Sequence, residues 1–216
     1  MSLYDLLASG DAVTRLVAIV LLAMSVASWV VILWKAWLLK RAAGDVGRST
    51  AAFWQAPSIN EARQRVGAFD RESLVLPLIE ATQVAAPGSL AAAGDRSQQL
   101  TRVLRDALHR VLDKLQFGQV LLATVGSTAP FVGLLGTVWG IYHALTAIGA
   151  AGQITIDKVA GPVGESLIMT AAGLAVAIPA VLGYNIFGRF IGRIEADLEG
   201  FARDLRELLT HPAVEP

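Results

Sequence analysis

The fold is predicted from one stretch, GSTAPFVGLLGTVWGI at residues 126–141, and from the apolar residues on either side of it. This stretch lies within residues 115–156, which hold one histidine, His143, and no Asp, Glu, Lys or Arg. Residues 16–34 and 166–188 also carry no charge. About 20 apolar residues in a helix cross a hydrocarbon core of roughly 30 Å. The three runs therefore predict three transmembrane helices, which we call spans 1, 2 and 3.

The composition agrees with a membrane protein. Hydrophobic residues make up 54% of the 216 residues, mean hydropathy is +0.54, and only 17% of residues are charged, whereas soluble domains average about a quarter. Core helices of a soluble protein are the alternative, but such helices normally keep a polar face. The net charge of zero argues against a nucleic-acid-binding protein. The absence of cysteine excludes disulfides and thiolate metal sites, and we expect no metal and no cofactor.

The charges around span 1 favour a retained anchor over a cleaved signal peptide. Asp5 and Asp11 precede the run with only Arg15 to balance them, and lysines follow it instead of a small-residue cleavage site. Twelve of the 18 Lys and Arg residues lie between spans 1 and 2, and four follow span 3. By the positive-inside rule, we expect a multi-pass membrane protein with its N-terminus outside and its C-terminus inside, in the cytoplasm.

These observations predict an all-α membrane protein with three transmembrane helices, two of them long and extending into a cytoplasmic helical bundle. The expected segments are an outer amphipathic segment (1–13), transmembrane helix 1 (14–40), a cytoplasmic helical region (41–114), transmembrane helix 2 (115–148), an outer loop (149–162), transmembrane helix 3 (163–188) and a cytoplasmic C-terminal helix (189–216). Glycines and prolines, among them Gly44 and Gly47, are expected to divide the 41–114 region into short helices.

Two apolar patterns predict that spans 2 and 3 continue beyond the membrane. Before span 2, apolar residues recur at helical spacing from Leu100 to Leu115, with Asp95 as the N-cap, so we expect one helix over residues 95–148. Span 3 is expected to start with Pro162 in its first turn. After it, a coiled-coil-like seam follows, formed by Ile191, Ile194, Leu198, Phe201, Leu205 and Leu208.

Small and hydroxyl residues mark one face of span 2 and one face of span 3. Small residues let membrane helices approach closely, so the simplest role is helix packing. The residues predicted to pack in this way are Gly133, Gly136, Gly140 and Gly173.

Thr137, Thr170 and Glu165 have two interpretations each. If the turn between spans 2 and 3 is centred near residue 153 or 154, Thr137 and Thr170 lie at the same depth. Each threonine either bonds a carbonyl one turn back or lines an aqueous path. Glu165 either offsets a helix dipole in the first turn or faces a pore. A threonine does not titrate near neutral pH, and no Asp or Lys lies deep in any span. The chain by itself therefore holds no proton carrier at mid-membrane.

Enzymatic function is disfavoured by the motifs that are missing. The sequence has no Walker loop, no His-Glu-x-x-His motif and no Gly-x-Ser-x-Gly elbow. Ser127 and His143 lie sixteen residues apart on one helix, about 24 Å, too far to form a catalytic hydrogen bond. We expect no catalytic residues.

The stretch at residues 126–141 resembles the second-span signature of the ExbB/TolQ/MotA proton-channel family, and VAGPVGESLIMTAAGLAVAIPAVLGYN at residues 159–185 resembles its third-span signature. The resemblance implies a homopentamer in the bacterial inner membrane, with a periplasmic N-terminus and a cytoplasmic C-terminus. Its second and third spans are expected to line a pore around single-span ExbD-like helices. These helices supply the titrating aspartate, and proton flow energises a TonB-like protein and outer-membrane transport. Thr137, Glu165 and Thr170 match the family's pore residues. The STAPF segment looks more like ExbB than TolQ; a TolQ-like subunit of the Tol-Pal envelope system and a non-conducting membrane scaffold remain the alternatives.

Overall fold

The computed structural model describes residues 11–83, 95–150 and 156–211. Regular structure in these ranges is entirely α-helical, which confirms the predicted class. Most of the predicted outer segment, residues 1–13, lies outside the described residues. The helices are α1 (Ala12–Trp54), α2 (Ile59–Phe69), α3 (Leu76–Ala81), α4 (Arg96–Gln116), α5 (Gln119–Ala150) and α6 (Ile156–Thr210).

Three of the described helices are long and apolar enough to cross a membrane. They are α1, residues Gln119–Thr146 of α5 and residues Ala160–Thr210 of α6, and each overlaps one of the three predicted spans. The chain divides into two compact units. The first, which we call the membrane unit, comprises the chain up to Trp34 and residues Gly118–Ile186, and the second, the extension unit, comprises Lys35–Phe117 and the chain from Phe187.

The membrane unit is built on an antiparallel hairpin of α5 and α6. Gly133 and Gly173 bring the two backbones together: a Cβ built on Gly133 would lie 2.6 Å from the Met169 carbonyl oxygen, and one built on Gly173 would lie 2.6 Å from the Ala129 carbonyl oxygen. Close approach of this kind is what small residues permit between membrane helices. The packing role predicted for these two glycines thus has its geometric basis within a single chain.

Gly136 and Gly140 extend the same small-residue surface. A Cβ on Gly136 would lie 3.0 Å from Val17 of α1 and 3.1 Å from Met169 of α6, so this glycine sits where all three spans meet. A Cβ on Gly140 would collide with the Ser166 side chain. On span 3, Ala177 and Ala180 are buried, whereas Tyr184 is 42% exposed.

The extension unit contains the predicted amphipathic helix. Asp95 caps α4 by accepting a hydrogen bond from the Gln98 amide, as predicted. The apolar face of α4 is buried at Leu100, Leu104, Ala107, Leu108, Val111, Leu112 and Leu115.

The seam after span 3 is buried over most of its length. Ile191, Ile194, Leu198, Phe201 and Leu205 are buried, and the Phe201 ring packs edge-on against Phe53 of α1 with centroids 5.1 Å apart. Leu208, in the last turn of α6, is 39% exposed, so the predicted seam ends one turn early.

The prediction of one helix over residues 95–148 is wrong. Helix α4 ends at Gln116, and α5 begins at Gln119 after Gly118 adopts a φ of +83°, in the left-handed region that favours glycine. The last carbonyls of a helix lack partners within it. Here Lys35 Nζ donates to the carbonyl oxygens of Leu115 at 2.6 Å and Phe117 at 2.7 Å, and its side chain is fully buried. The break is therefore stabilised by a residue far away in sequence.

Two other helix boundaries differ from the expected ones. Helix α1 continues through Gly44 and Gly47 to Trp54, well beyond residue 40. A glycine inside a helix costs only about 1 kcal/mol, and this part of α1 buries a face that includes Ala42 and Val46. Helix α6 starts at Ile156, so Pro162 lies inside it rather than in its first turn.

The short helices expected between spans 1 and 2 are present as α2 and α3. Ser58 caps α2 by accepting a hydrogen bond from the Glu61 amide. Asp70, which is buried, accepts from the amides of Leu74, Val75 and Leu76 and so organises the turn before α3.

Candidate functional site

Thr137 of α5 and Thr170 of α6 meet inside the hairpin. The Thr137 side chain is buried, and its hydroxyl contacts the Thr170 hydroxyl directly. Thr137 Oγ1 also donates to the carbonyl oxygen of Gly133, one turn back, at 3.1 Å. The predicted alignment, which places the two threonines at the same depth, is confirmed. Of the two interpretations from sequence, the bond to a carbonyl one turn back is present for Thr137, and the lining of an aqueous path stays a prediction.

The glycines around the pair explain why two short side chains can touch across a helix interface. Gly133 and Gly173 lie one turn from the pair on one side, and Gly140 lies opposite Ser166 on the other. Ser166 Oγ donates to the carbonyl oxygen of Pro162 at 2.8 Å. The hydroxyl pair is thus held between two turns of close backbone packing.

Glu165 is not brought to the threonine pair. It is exposed and lies next to Ser166, near the end of the hairpin where α5 connects to α6, which we call the loop end. Thr170 follows Glu165 by five positions, so the two side chains are about 140° apart around the helix axis. The two side chains therefore leave α6 in different directions, and any joint role needs a third group that reaches both depths.

Ionisable groups near neutral pH are absent from the sequence at the depth of the pair. Residues 119–142 and 166–188 contain no Asp, Glu, Lys, Arg or His. A threonine hydroxyl can donate and accept hydrogen bonds but does not release its proton near pH 7. The pair can orient a titrating group or a water molecule, and it cannot itself store a proton.

A second polar cluster, which the sequence analysis did not predict, lies at the loop end. The Asp11 carboxylate accepts from the Thr14 amide at 2.9 Å through Oδ1 and from the Trp139 indole through Oδ2. His143 Nε2 lies 3.6 Å from the same Oδ2, and the His143 ring stacks on Trp139 with centroids 5.2 Å apart. The hydrogen bond from Trp139, followed by those from Thr14, lowers the pKa of Asp11 to about 2.

The sequence contains two signals that are consistent with this cluster. Trp139 and His143 are four residues apart, so they share a helical face, and Asp11 immediately precedes an apolar helix as an N-cap would. The contact between Asp11 and Trp139 of span 2 could not be predicted from the sequence, because these two residues are 128 positions apart.

Comparison with known proteins identifies the class. A model of the MotA/TolQ/ExbB proton channel family matches residues 76–200. The chain is 48% identical over 214 residues to a biopolymer transport protein ExbB of Xanthomonas campestris pv. campestris, covering 92% of this chain and 82% of the relative. It is 38% identical to an ExbB of Neisseria meningitidis, covering 95% of this chain and 96% of the relative.

A more distant match is a Tol-Pal system protein TolQ of Haemophilus influenzae, which is 30% identical over 224 residues. The chain therefore belongs to the MotA/TolQ/ExbB proton channel family. Among the relatives named here, its identity to the ExbB proteins is higher than to TolQ, which makes it ExbB-like and confirms the resemblance found in the two span signatures.

Proposed function

We propose that the chain is the channel-forming subunit of an inner-membrane motor that uses the proton motive force to energise TonB-dependent outer-membrane transport. It acts with an ExbD-like single-span protein and has no enzymatic activity. The observation that carries the proposal is the direct contact between the Thr137 and Thr170 hydroxyls at a depth where this chain holds no titrating group. A hydroxyl pair at a depth without a titrating group is suited to bind a carboxyl group that a partner supplies.

The hydroxyl pair can serve both protonation states of such a carboxyl group. When Thr137 donates to Gly133, Thr170 donates to Thr137, and the Thr170 oxygen offers only lone pairs, which a protonated carboxylic acid can bond. When Thr137 donates to Thr170 instead, the Thr170 hydrogen is available to a carboxylate. The Thr170 side chain is only partly buried, so a partner helix can reach it. Rotation of two hydroxyl hydrogens thus switches the pair from acceptor to donor.

Glu165 has a separate place in this proposal. Its exposed carboxyl at the loop end lies closer to the outer surface than the threonines, in the orientation expected from the basic residues. An ionisable side chain at this position faces a polar interior more readily than lipid. In a homopentamer, five copies would form an acidic ring through which protons approach the partner's carboxyl group.

A non-conducting scaffold is the second candidate, and one observation favours it. The Thr137 hydroxyl is satisfied within the hairpin, as is common for membrane threonines that only stabilise packing. A TolQ-like role in an envelope system is the other alternative, supported by the 30% identity to a TolQ protein.

Proton flux in liposomes tests the channel proposal. With a pH gradient and a membrane potential imposed, the chain alone should conduct few protons, because it has no carrier at mid-depth. Adding the single-span partner should raise the flux, and a partner whose membrane aspartate is replaced by asparagine should not. A robust flux from the chain alone would contradict the partner-carried mechanism, and no flux from either preparation would favour the scaffold.

Cysteine labelling tests the proposed orientation. The chain has no cysteine, so single cysteines can be introduced without background. Gln153→Cys should react with a membrane-impermeant thiol reagent added from the periplasmic side of intact spheroplasts, because residue 153 lies in the predicted outer loop. Ser89→Cys, in the predicted cytoplasmic region, should react only after permeabilisation. The reverse pattern would overturn the orientation inferred from the Lys and Arg residues.

A further inference from the structure

Two faces of span 2 make different contacts within the membrane unit. Gly133, Thr137 and Gly140 face α6. Trp139 lies two residues after Thr137, a rotation of about 200° around the helix, and contacts Asp11 at the start of α1. A rotation of span 2 about its axis that broke one of these contacts would also displace the other.

The α6-facing side of span 2 makes a side-chain hydrogen bond to α6, between Thr137 and Thr170. Its contact residues are largely glycines, which present no side chain to lock into the neighbouring helix. A directional contact on another face of span 2 would add to what specifies which residue faces Thr170.

The contact between Asp11 and Trp139 has that directional character. Asp11 is held in place by its hydrogen bond with the Thr14 amide, and Trp139 is braced by its stacking on His143. Hydrogen bonds to an ionised acceptor are about twice as strong as neutral ones, and the pKa of Asp11, about 2, keeps the carboxylate ionised at neutral pH.

We propose that Asp11 is a positioning residue that fixes the rotation of span 2 through Trp139 and so holds Thr137 opposite Thr170. The orientation itself does not depend on the proposed channel function; only its consequence for proton flow does. Asp11 touches neither threonine. Its effect reaches the hydroxyl pair through the rigid helix between Thr137 and Trp139.

Two simpler roles make different predictions. Asp11 as a mere N-cap of α1 would tolerate Asn, which caps helices about as well as Asp. Trp139 as a mere interfacial aromatic residue would tolerate Phe. Asn, however, has one carbonyl oxygen and cannot accept from both Thr14 and Trp139 with the strength of a carboxylate, and Phe has no N–H to donate.

Disulfide formation measures the rotation directly. Thr137→Cys and Thr170→Cys are introduced together, and Val138→Cys with Thr170→Cys serves as an off-register pair, because Val138 is 58% exposed. The rate of oxidation is followed by gel mobility of the purified full-length chain, alone and with Asp11→Asn or Trp139→Phe added. Trp29→Phe, at an exposed tryptophan of span 1, is the matched control for the aromatic change.

The expected result is about a tenfold slower 137–170 disulfide in both variants, of the order set by losing one hydrogen bond to a charged group, together with a faster 138–170 disulfide. Trp29→Phe should change neither rate.

An unchanged 137–170 rate in Asp11→Asn overturns the proposal, even if Trp139→Phe fails to fold. A slower 137–170 rate without any gain at 138–170, accompanied by a lower melting temperature, also overturns it, because loosening without rotation is what a simple cap would give. Neither outcome depends on proton flux, so the proposed function is tested separately.

Discussion

Thr137→Val and Thr170→Val are each expected to lower partner-dependent proton flux by at least about tenfold, because losing one hydrogen bond of about 1.4 kcal/mol in the transition state has that effect on a rate. Valine keeps the shape of threonine and removes the hydroxyl. In Thr137→Val, the Thr170 hydroxyl loses its partner and can no longer alternate between accepting and donating. Thr137→Ser and Thr170→Ser retain the hydroxyl and should retain most of the flux. The measurement is flux in liposomes that contain the chain and its single-span partner.

The chain offers matched controls for this experiment. Thr124 and Thr128 are exposed threonines of span 2 whose hydroxyls bond carbonyls one turn back, those of Val120 and Thr124. Thr124→Val and Thr128→Val remove the same group from the same helix without touching α6, so the flux should remain near the wild-type value. Equal losses in these controls and in Thr137→Val would show that hydroxyls matter only for the helix itself, and would contradict a special role for the pair.

Within the membrane unit, Gly133→Leu and Gly173→Leu are expected to have the largest effect on stability. Even a methyl group at either position would lie 2.6 Å from a backbone carbonyl oxygen, which cannot rotate away as a side chain can. Overpacking in a tight interior costs about 1–3 kcal/mol, and more when the backbone must move. The hairpin within one chain should therefore open, and the proposed homopentamer should be destabilised in consequence. Thermal unfolding in detergent should show a lower midpoint, and native mass spectrometry should show loss of assembly.

Gly164→Leu is the control for these substitutions. Gly164 belongs to the same helix as Gly173, and a Cβ there meets nothing within 4 Å. Its thermal midpoint should stay close to that of the unmodified chain. If Gly133→Leu unfolds at the same temperature as Gly164→Leu, the two helices do not pack as closely as the hairpin contacts indicate.

Much of this architecture was predictable because it depends on local composition and on symmetry about one turn. Charge-free runs predicted the three apolar helices. A turn centred near residue 153 or 154 predicted that Thr137 and Thr170 lie at the same depth, and the two hydroxyls are in contact. Asp95 was predictable as an N-cap because capping involves residues three apart. Each of these features depends either on residues close together in sequence or on two residues being equally far from one turn.

The features that sequence reasoning missed depend on contacts between distant residues. The break at Gly118 is stabilised by Lys35, 80 residues before Leu115, and nothing near Gly118 distinguishes it from glycines that remain helical, such as Gly44. The same holds for Asp11, whose partner lies on another helix.

The contact of Gly133 with Gly173 has a consequence for how this protein can evolve. In most packed interiors, a larger side chain on one element can be accommodated by a smaller one on its neighbour. Here both residues already have no side chain, and the atoms that limit the space are the backbone oxygens of Met169 and Ala129, which no substitution removes. Compensating pairs of mutations are therefore not available at this crossing. Sequence drift in spans 2 and 3 should be concentrated on their outward faces, while the crossing itself can change only by moving the helices apart and losing the threonine contact.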